Sequence, residues 1–191
     1  MNASNKEKRR EQIMKAGIKV FSRRGFIGTQ MSMVAQEAGI SHGLLYNYFK
    51  SKDDLFITLV ESAMEQSRLT MEYAYQLPGT PFEKIRMLTK TILSEGDSSF
   101  FLLIHQARTS EGVPEQAQQL IRQYSISSYV DQLLPLIAEG QQLGEIIDRN
   151  PRELITCYLT VISGLMLLSS REDGNFEMPN IDILLRIISV E

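Results

Sequence analysis

The sequence predicts an all-α protein of about nine helices, and three observations carry that prediction. Apolar residues recur at three- and four-residue spacing through most of the chain, and no stretch alternates apolar with polar as a half-buried strand would. Cap and break signals divide the chain at Gly25, Gly39, Ser41, Ser51, 77–81, 112–114, Gly144, Asn150 and Asn180. No internal repeat or low-complexity segment competes with this reading.

In chain order, a first helix is expected from Lys6 to Arg24. Ile13, Gly17, Val20 and Phe21 form its apolar stripe, broadened by Met14 and Ile18. Gly25 ends it, and Thr29 is placed to cap the next helix. Val34, Ala35 and Ala38 give that short helix its apolar face. Gly39 follows where the backbone needs a positive φ.

Ser41 is the expected cap of a second short helix. On its wheel Leu45 and Phe49 share one side, while Gly43 and Asn47 lie nearly opposite, flanked by Leu44 and Tyr46. Burying the first pair exposes the second. The segment 29–52 therefore reads as a helix-turn-helix with an outward reading face.

Ser51 to Asp54 starts a long helix running to about Leu77. Its apolar set is Leu55, Phe56, Leu59, Val60, Ala63, Met64, Met71, Ala74 and Tyr75. Thr80 caps and Pro81 opens a helix to Glu95, and another spans Ser99 to Ser110. A longer helix is expected from Pro114 toward Leu143, closed by Gly144, with a bend or early end at Gly140, where glycine costs about 1 kcal/mol against alanine. Asn150, Pro151 and Glu153 launch an apolar helix to Ser170; Asp173 to Asn175 make a turn; Asn180 caps a last helix through Val190.

The net charge of −3 conceals an asymmetry: residues 1–52 hold ten Lys and Arg against three Asp and Glu, and residues 53–191 hold ten against twenty. The first segment stands at +7 and the second at −10. A basic head attracts phosphates and an acidic body repels them, so a duplex meets one end of the chain.

The single cysteine, Cys157, excludes an intrachain disulfide framework, fits a reducing cytoplasm, and lies in an apolar run that reads as core. The longest uncharged run, Leu154 to Ser170, has 17 residues with Thr, Ser, Gly and Tyr scattered through it. It reads as a buried helix of a soluble protein, and no secretory signal precedes the first helix.

The run GFIGTQMSMVAQEAGISHGLLYNYFKSKDDLF resembles the DNA-binding region of the TetR family of bacterial transcriptional regulators. The likeness rests, without gaps, on Gly25, Phe26, Thr29, Ala35, Gly39, Ser41, Gly43, Leu45, Tyr46, Tyr48, Phe49, Ser51 and Lys52. It covers roughly the first third of the chain; beyond it only length, helical character and the stretch GQQLGEI are similar. Leu44 stands where the family commonly has threonine, and Met33 where it has a polar residue.

The resemblance implies a cytoplasmic homodimer that binds a near-palindromic double-stranded operator and a small-molecule effector. Within the head, Thr29, Gln30, Tyr48 and Lys52 are placed to hold phosphates. Gly43, Leu44, Tyr46 and Asn47 are placed to read base edges, with Ser41 and His42 completing the DNA-binding set.

The expected division is a DNA-binding domain at 1–52 and an effector-binding and dimerisation domain at 53–191. Phe82, Met87, Phe100, Phe101, His105, Tyr124 and Tyr129 are candidates for a cavity wall in the latter, ordinary core being the alternative for each. Cys157, Val161, Gly164, Leu165, Leu168, Ile181, Leu184, Leu185 and Ile188 are candidates for a two-fold interface, with Ser163 and Gly164 allowing close helix approach.

Catalysis finds no support. His42 and His105 are far apart, no metal-ligand spacing exists, and no phosphate loop or nucleophile elbow occurs, so no catalytic residue, metal or cofactor is expected. The function read from the chain is a sequence-specific DNA-binding regulator, a repressor released by its effector. The alternatives are a regulator whose ligand promotes binding, one without a ligand, and a helical protein-interaction module.

Overall fold

The computed structural model describes residues 3–94, 99–123, 125–169 and 176–190. Among them are ten helices: α1 (Ala3–Gly28), α2 (Met31–Glu37), α3 (His42–Tyr46), α4 (Lys52–Gln76), α5 (Pro81–Ser94), α6 (Ser99–Thr109), α7 (Glu115–Gln123), α8 (Ile126–Gln142), α9 (Pro151–Ser169) and α10 (Ile181–Leu185). The only pairing of extended backbone among these residues is an isolated antiparallel bridge between Ile146 and Ser189.

The chain forms two compact units, residues 1–65 with 99–122 and residues 66–98 with 123–191. The first holds α1 to α3, the start of α4, α6 and most of α7. Its centre is aromatic: Phe21, Phe26 and Phe56 lie with ring centroids 4.9 to 6.3 Å apart. Ile13, Leu45, Leu55 and Leu59 around them are fully buried. α6 belongs here because it packs on α1, where the Gln106 amide donates to the Ser22 carbonyl at 2.6 Å. The unit around the helix-turn-helix thus reaches well beyond residue 52.

The second unit is built on α5, α8, α9, α10 and the later part of α4, around Leu88, Leu133, Leu136, Ile155, Tyr158 and Ile188. Tyr158 and Thr89 share a hydrogen bond of 2.6 Å there, and the Thr89 hydroxyl also lies 2.6 Å from the Ile85 carbonyl. Burial pushes the Tyr158 hydroxyl well above the ordinary tyrosine range, against the smaller opposing effect of Thr89.

Local signals place most helix starts where expected. Thr80 and Glu83 exchange side-chain and backbone bonds around Pro81. Asn150 accepts from the Arg152 and Glu153 amides, and Asn180 from Asp182. Gly25 interrupts α1 with φ 68°, and Gly144 follows α8 with φ 71°. Of the apolar residues expected along α4, only Tyr75 is exposed, its hydroxyl donating to the Gln132 carbonyl.

Four expectations are corrected. The helix expected from Pro114 to Leu143 is two, α7 and α8, because Ser125 takes an extended conformation and its carbonyl accepts from the Ser128 amide and hydroxyl. Gly140 neither ends nor shortens α8, which continues to Gln142. A Cβ there would stand 2.5 Å from Ile146, so this glycine serves close packing. The last helix stops at Leu185, because the backbone turns so that the Ile188 carbonyl accepts from the Ile147 amide at 3.0 Å.

The fourth concerns α9, which is buried on one face only. Leu154, Ile155, Tyr158, Leu159 and Ile162 face the core, and Cys157, about 100° from Tyr158 on the wheel, is exposed instead of buried. By length and composition α9 also suffices to cross a membrane. The turn expected at Asp173 to Asn175 lies outside the described residues.

A Tyr158 that stays neutral when folded makes stability fall as pH rises past the unfolded tyrosine value of about 10, since only the unfolded chain then ionises. Urea titrations between pH 8 and 11 are expected to show that fall, and Tyr158→Phe to reduce its slope while costing about 1 kcal/mol at pH 8.

Candidate nucleic-acid interface

The interface begins with two buried side chains. Leu45 is 0% and Phe49 2% exposed, which turns Gly43, Tyr46 and Asn47 outward and leaves Leu44 half-buried. A Cβ at Gly43 would meet open space, so nothing of this chain crowds the middle of that face. His42 and Tyr46, one turn apart, meet edge to face at 4.9 Å between ring centroids.

Gly39 takes φ 60° to turn the chain from α2 to α3. Ser41 caps α3 by accepting from the Leu44 amide at 3.2 Å. From α1, the Gln12 amide donates to the Ala38 carbonyl at 2.6 Å and Lys19 pairs with Glu37, so the end of α2 is tied back to the first helix. After α3, the Lys50 amide donates to Asp54 at 2.7 Å and the Asp54 amide to Ser51 at 3.0 Å. These two bonds start α4 at a fixed place.

Two expected phosphate contacts are placed differently. Thr29 is 1% exposed and its hydroxyl donates to the Gly25 carbonyl at 2.7 Å, so the cap position of α2 falls to Gln30, whose side chain makes no cap bond. The Lys52 ammonium donates to the carbonyls of Phe26 at 2.9 Å and Thr29 at 3.2 Å, and stands 4.2 Å from the Phe26 ring centre. Gln30 is exposed, and Tyr48 half-buried. Lys50, absent from the expected set, is exposed beside the reading face; its only sequence signal is its place directly after the buried Phe49.

The other expected sites separate. Phe82, Met87 and Tyr129 pack on the core of the second unit, and Tyr129 shares a 2.8 Å hydrogen bond with Ser67. Phe100, Phe101 and His105 belong to the first unit, where the Phe101 and His105 rings stack at 6.2 Å. Tyr124 lies outside the described residues. A cleft of about 500 Å³ along α4, bordered by Leu69, Tyr73, Gln76 and Thr91, includes none of these residues.

The expected interface residues divide as well. Cys157, Val161, Gly164 and Leu168 form an exposed stripe on α9, with Leu165 and Ile181 half-buried. Leu184, Leu185 and Ile188 are instead core residues, at most 5% exposed, because α10 turns that side onto α5 and α9; Ile183, at 68%, is its outward residue.

A capped, five-residue helix held by two buried side chains, with polar and small residues outward on a basic segment, defines a helix-turn-helix DNA-binding protein. Residues 13–59 match the family model described as bacterial regulatory proteins, tetR family. The chain is 30% identical over 137 residues to the fatty acid metabolism regulator protein of Bacillus subtilis, covering 71% of this chain and 69% of that one.

Among solved structures, a TetR-family transcriptional regulator from Agrobacterium tumefaciens shares the fold with TM-score 0.76, 20% identity and coverage of 96% and 99%. The transcriptional regulator FadR from Bacillus subtilis, solved in complex with stearoyl-CoA, gives TM-score 0.65, 23% identity and coverage of 93% and 94%. The chain belongs to the tetR family of bacterial regulatory proteins. It is a DNA-binding transcriptional regulator, and the proteins it resembles are regulators rather than enzymes.

Because α3 is so short, its cap matters more than in a long helix. Ser41→Ala is expected to lower stability by about 1 kcal/mol and Ser41→Asp to retain it, as read by urea denaturation.

Proposed function

We propose that the chain is a cytoplasmic, homodimeric repressor that binds a near-palindromic operator and leaves it when a small molecule binds residues 53–191. The observation that carries the reading is the outward face of α3 and its C-cap, small at Gly43 and with a side-chain amide at Asn47, beside the exposed Lys50.

In this reading Asn47 pairs with an adenine edge, Leu44 meets a thymine methyl and Gly43 lets the helix lie deep in the major groove. Ser41, His42 and Tyr46 border the bases, while Gln30, Tyr48 and Lys50 hold phosphates. Two such faces read two half-sites, which requires a two-fold pair. The exposed stripe Cys157, Val161, Gly164 and Leu168, with Ile183 of α10, supplies apolar area for it.

The relative named for fatty acid metabolism and the fold neighbour holding stearoyl-CoA make a long-chain acyl thioester the first effector to test. Its apolar tail suits adaptable walls such as Phe82, Met87 and Tyr129 of the second unit, and its phosphates need cations or amides at the mouth.

An operator is obtained by selection from random duplexes. Asn47→Ala is expected to lose about 1 to 3 kcal/mol at particular base pairs with an unchanged salt slope, and Lys50→Ala to weaken all sequences and reduce that slope by roughly one per protomer. The reverse assignment of the two effects overturns this placement of α3.

Effector and operator must exclude one another reciprocally. Stearoyl-CoA is expected to bind about 5- to 150-fold more weakly to the operator complex than to the free protein, measured by calorimetry. Equal affinities remove effector release by this ligand.

A further inference from the structure

We infer that Lys52 is a positioning residue: its ammonium clamps the two ends of the helix-turn-helix together and so sets the reading pose of α3. The α2–α3 pair is bounded on one side by the connector 26–30, which comprises the end of α1 beyond its Gly25 kink and the two residues after it, and on the other by the start of α4. Lys52 is the first residue of α4, and both its acceptors, the Phe26 and Thr29 carbonyls, lie in that connector.

The connector needs an outside hold. Gly25 breaks α1 with φ 68° and ψ 176°, so the helix ladder does not carry through to residue 29. Within this segment the Thr29 amide donates to the Phe26 carbonyl at 3.4 Å and the Thr29 hydroxyl to the Gly25 carbonyl at 2.7 Å. Lys52 adds two charge-assisted bonds and a cation over the Phe26 ring, which is itself stacked in the aromatic core.

The far side of the clamp is fixed independently, because the Ser51 cap and the Asp54 bond to Lys50 set where α4 starts after α3. One ammonium therefore relates the start of α2 to the end of α3. Two of the ammonium's three N–H donors are engaged by these carbonyls and its charge lies over an aromatic face, so the contribution to DNA binding assigned to it here is the pose of α3.

The test uses the full chain, an operator selected from random duplexes and a scrambled duplex of equal length, at a temperature where circular dichroism shows every variant folded. Lys52→Met keeps the aliphatic stem and removes the donors; Lys52→Gln removes the charge but keeps two N–H donors. Lys52→Met is expected to lower the ratio of operator to scrambled affinity by about tenfold or more with an unchanged salt slope, and Lys52→Gln to recover part of that ratio.

Equal weakening on both duplexes with a slope reduced by roughly one per protomer, and no recovery in Lys52→Gln, would show a phosphate contact and overturn the inference. An unchanged affinity ratio in folded Lys52→Met overturns it equally, since a residue that only stabilises the fold leaves the pose intact. Should Lys52→Met not fold at any usable temperature, Lys52→Gln alone decides: a retained slope with a reduced ratio supports the clamp, and a reduced slope or an unreduced ratio refutes it.

Discussion

The burial of Leu45 and Phe49 is the constraint from which the reading face follows. A helix of five residues has too few internal bonds to hold its own conformation or orientation, so both come from what it buries and what caps it. Fully burying a Leu or Phe side chain contributes roughly 1.5 to 3 kcal/mol each. Rotating α3 by even a third of a turn would bring Leu45 to water and break the 3.1 Å bond by which the Phe49 amide, just beyond the helix, holds to the Leu45 carbonyl. The outward position of Asn47 and Gly43 is thus enforced by apolar burial on the opposite side, not by any interaction of their own.

The surrounding bonds make that pose single-valued. Gln12 and Lys19 of α1 hold the end of α2, Ser41 starts α3, and Lys52 reaches from α4 to the connector before α2. Each is a modest interaction, and the exposed Lys19–Glu37 pair contributes little by itself. Their effect is cumulative because they act at different ends of the same short segment, converting two marginal helices into one unit on the aromatic core of Phe21, Phe26 and Phe56.

What was legible in the chain was local. The caps at Ser41, Ser51, Thr80, Asn150 and Asn180 involve partners within four residues, and each side chain forms the bond its spacing implies. Gly39 and Gly144 take the positive φ that a turn demands. Misplaced features depend on partners distant in sequence. Thr29 and Lys52 look like phosphate ligands until the carbonyls of the connector are placed beside them. Cys157 looks buried because it lies in a largely apolar run, yet α9 packs through the Tyr158 side only. Leu184 and Ile188 look free to pair with another copy until α10 is docked on α5 and α9. Gly140 looks like a weak point until Ile146 fills the space a Cβ would need.

The same distinction governs how charge should be read. A head at +7 invites the expectation that its cations all meet phosphate, but several also have partners within the chain. Lys19 faces Glu37, Arg9 donates to Gln12, Arg10 lies 5.3 Å from the Phe49 ring centre, and Lys52 is held by two carbonyls. Counterion release counts the charges that reach the duplex backbone, whereas the long-range field counts all of them. Encounter with DNA therefore responds to the full basic excess, while the salt dependence of the bound state reflects only those cations, such as the exposed Lys50, that reach a phosphate in the complex. A net charge read from sequence sets how strongly the duplex is attracted; the hydrogen bonds of the folded head set how many phosphates are held.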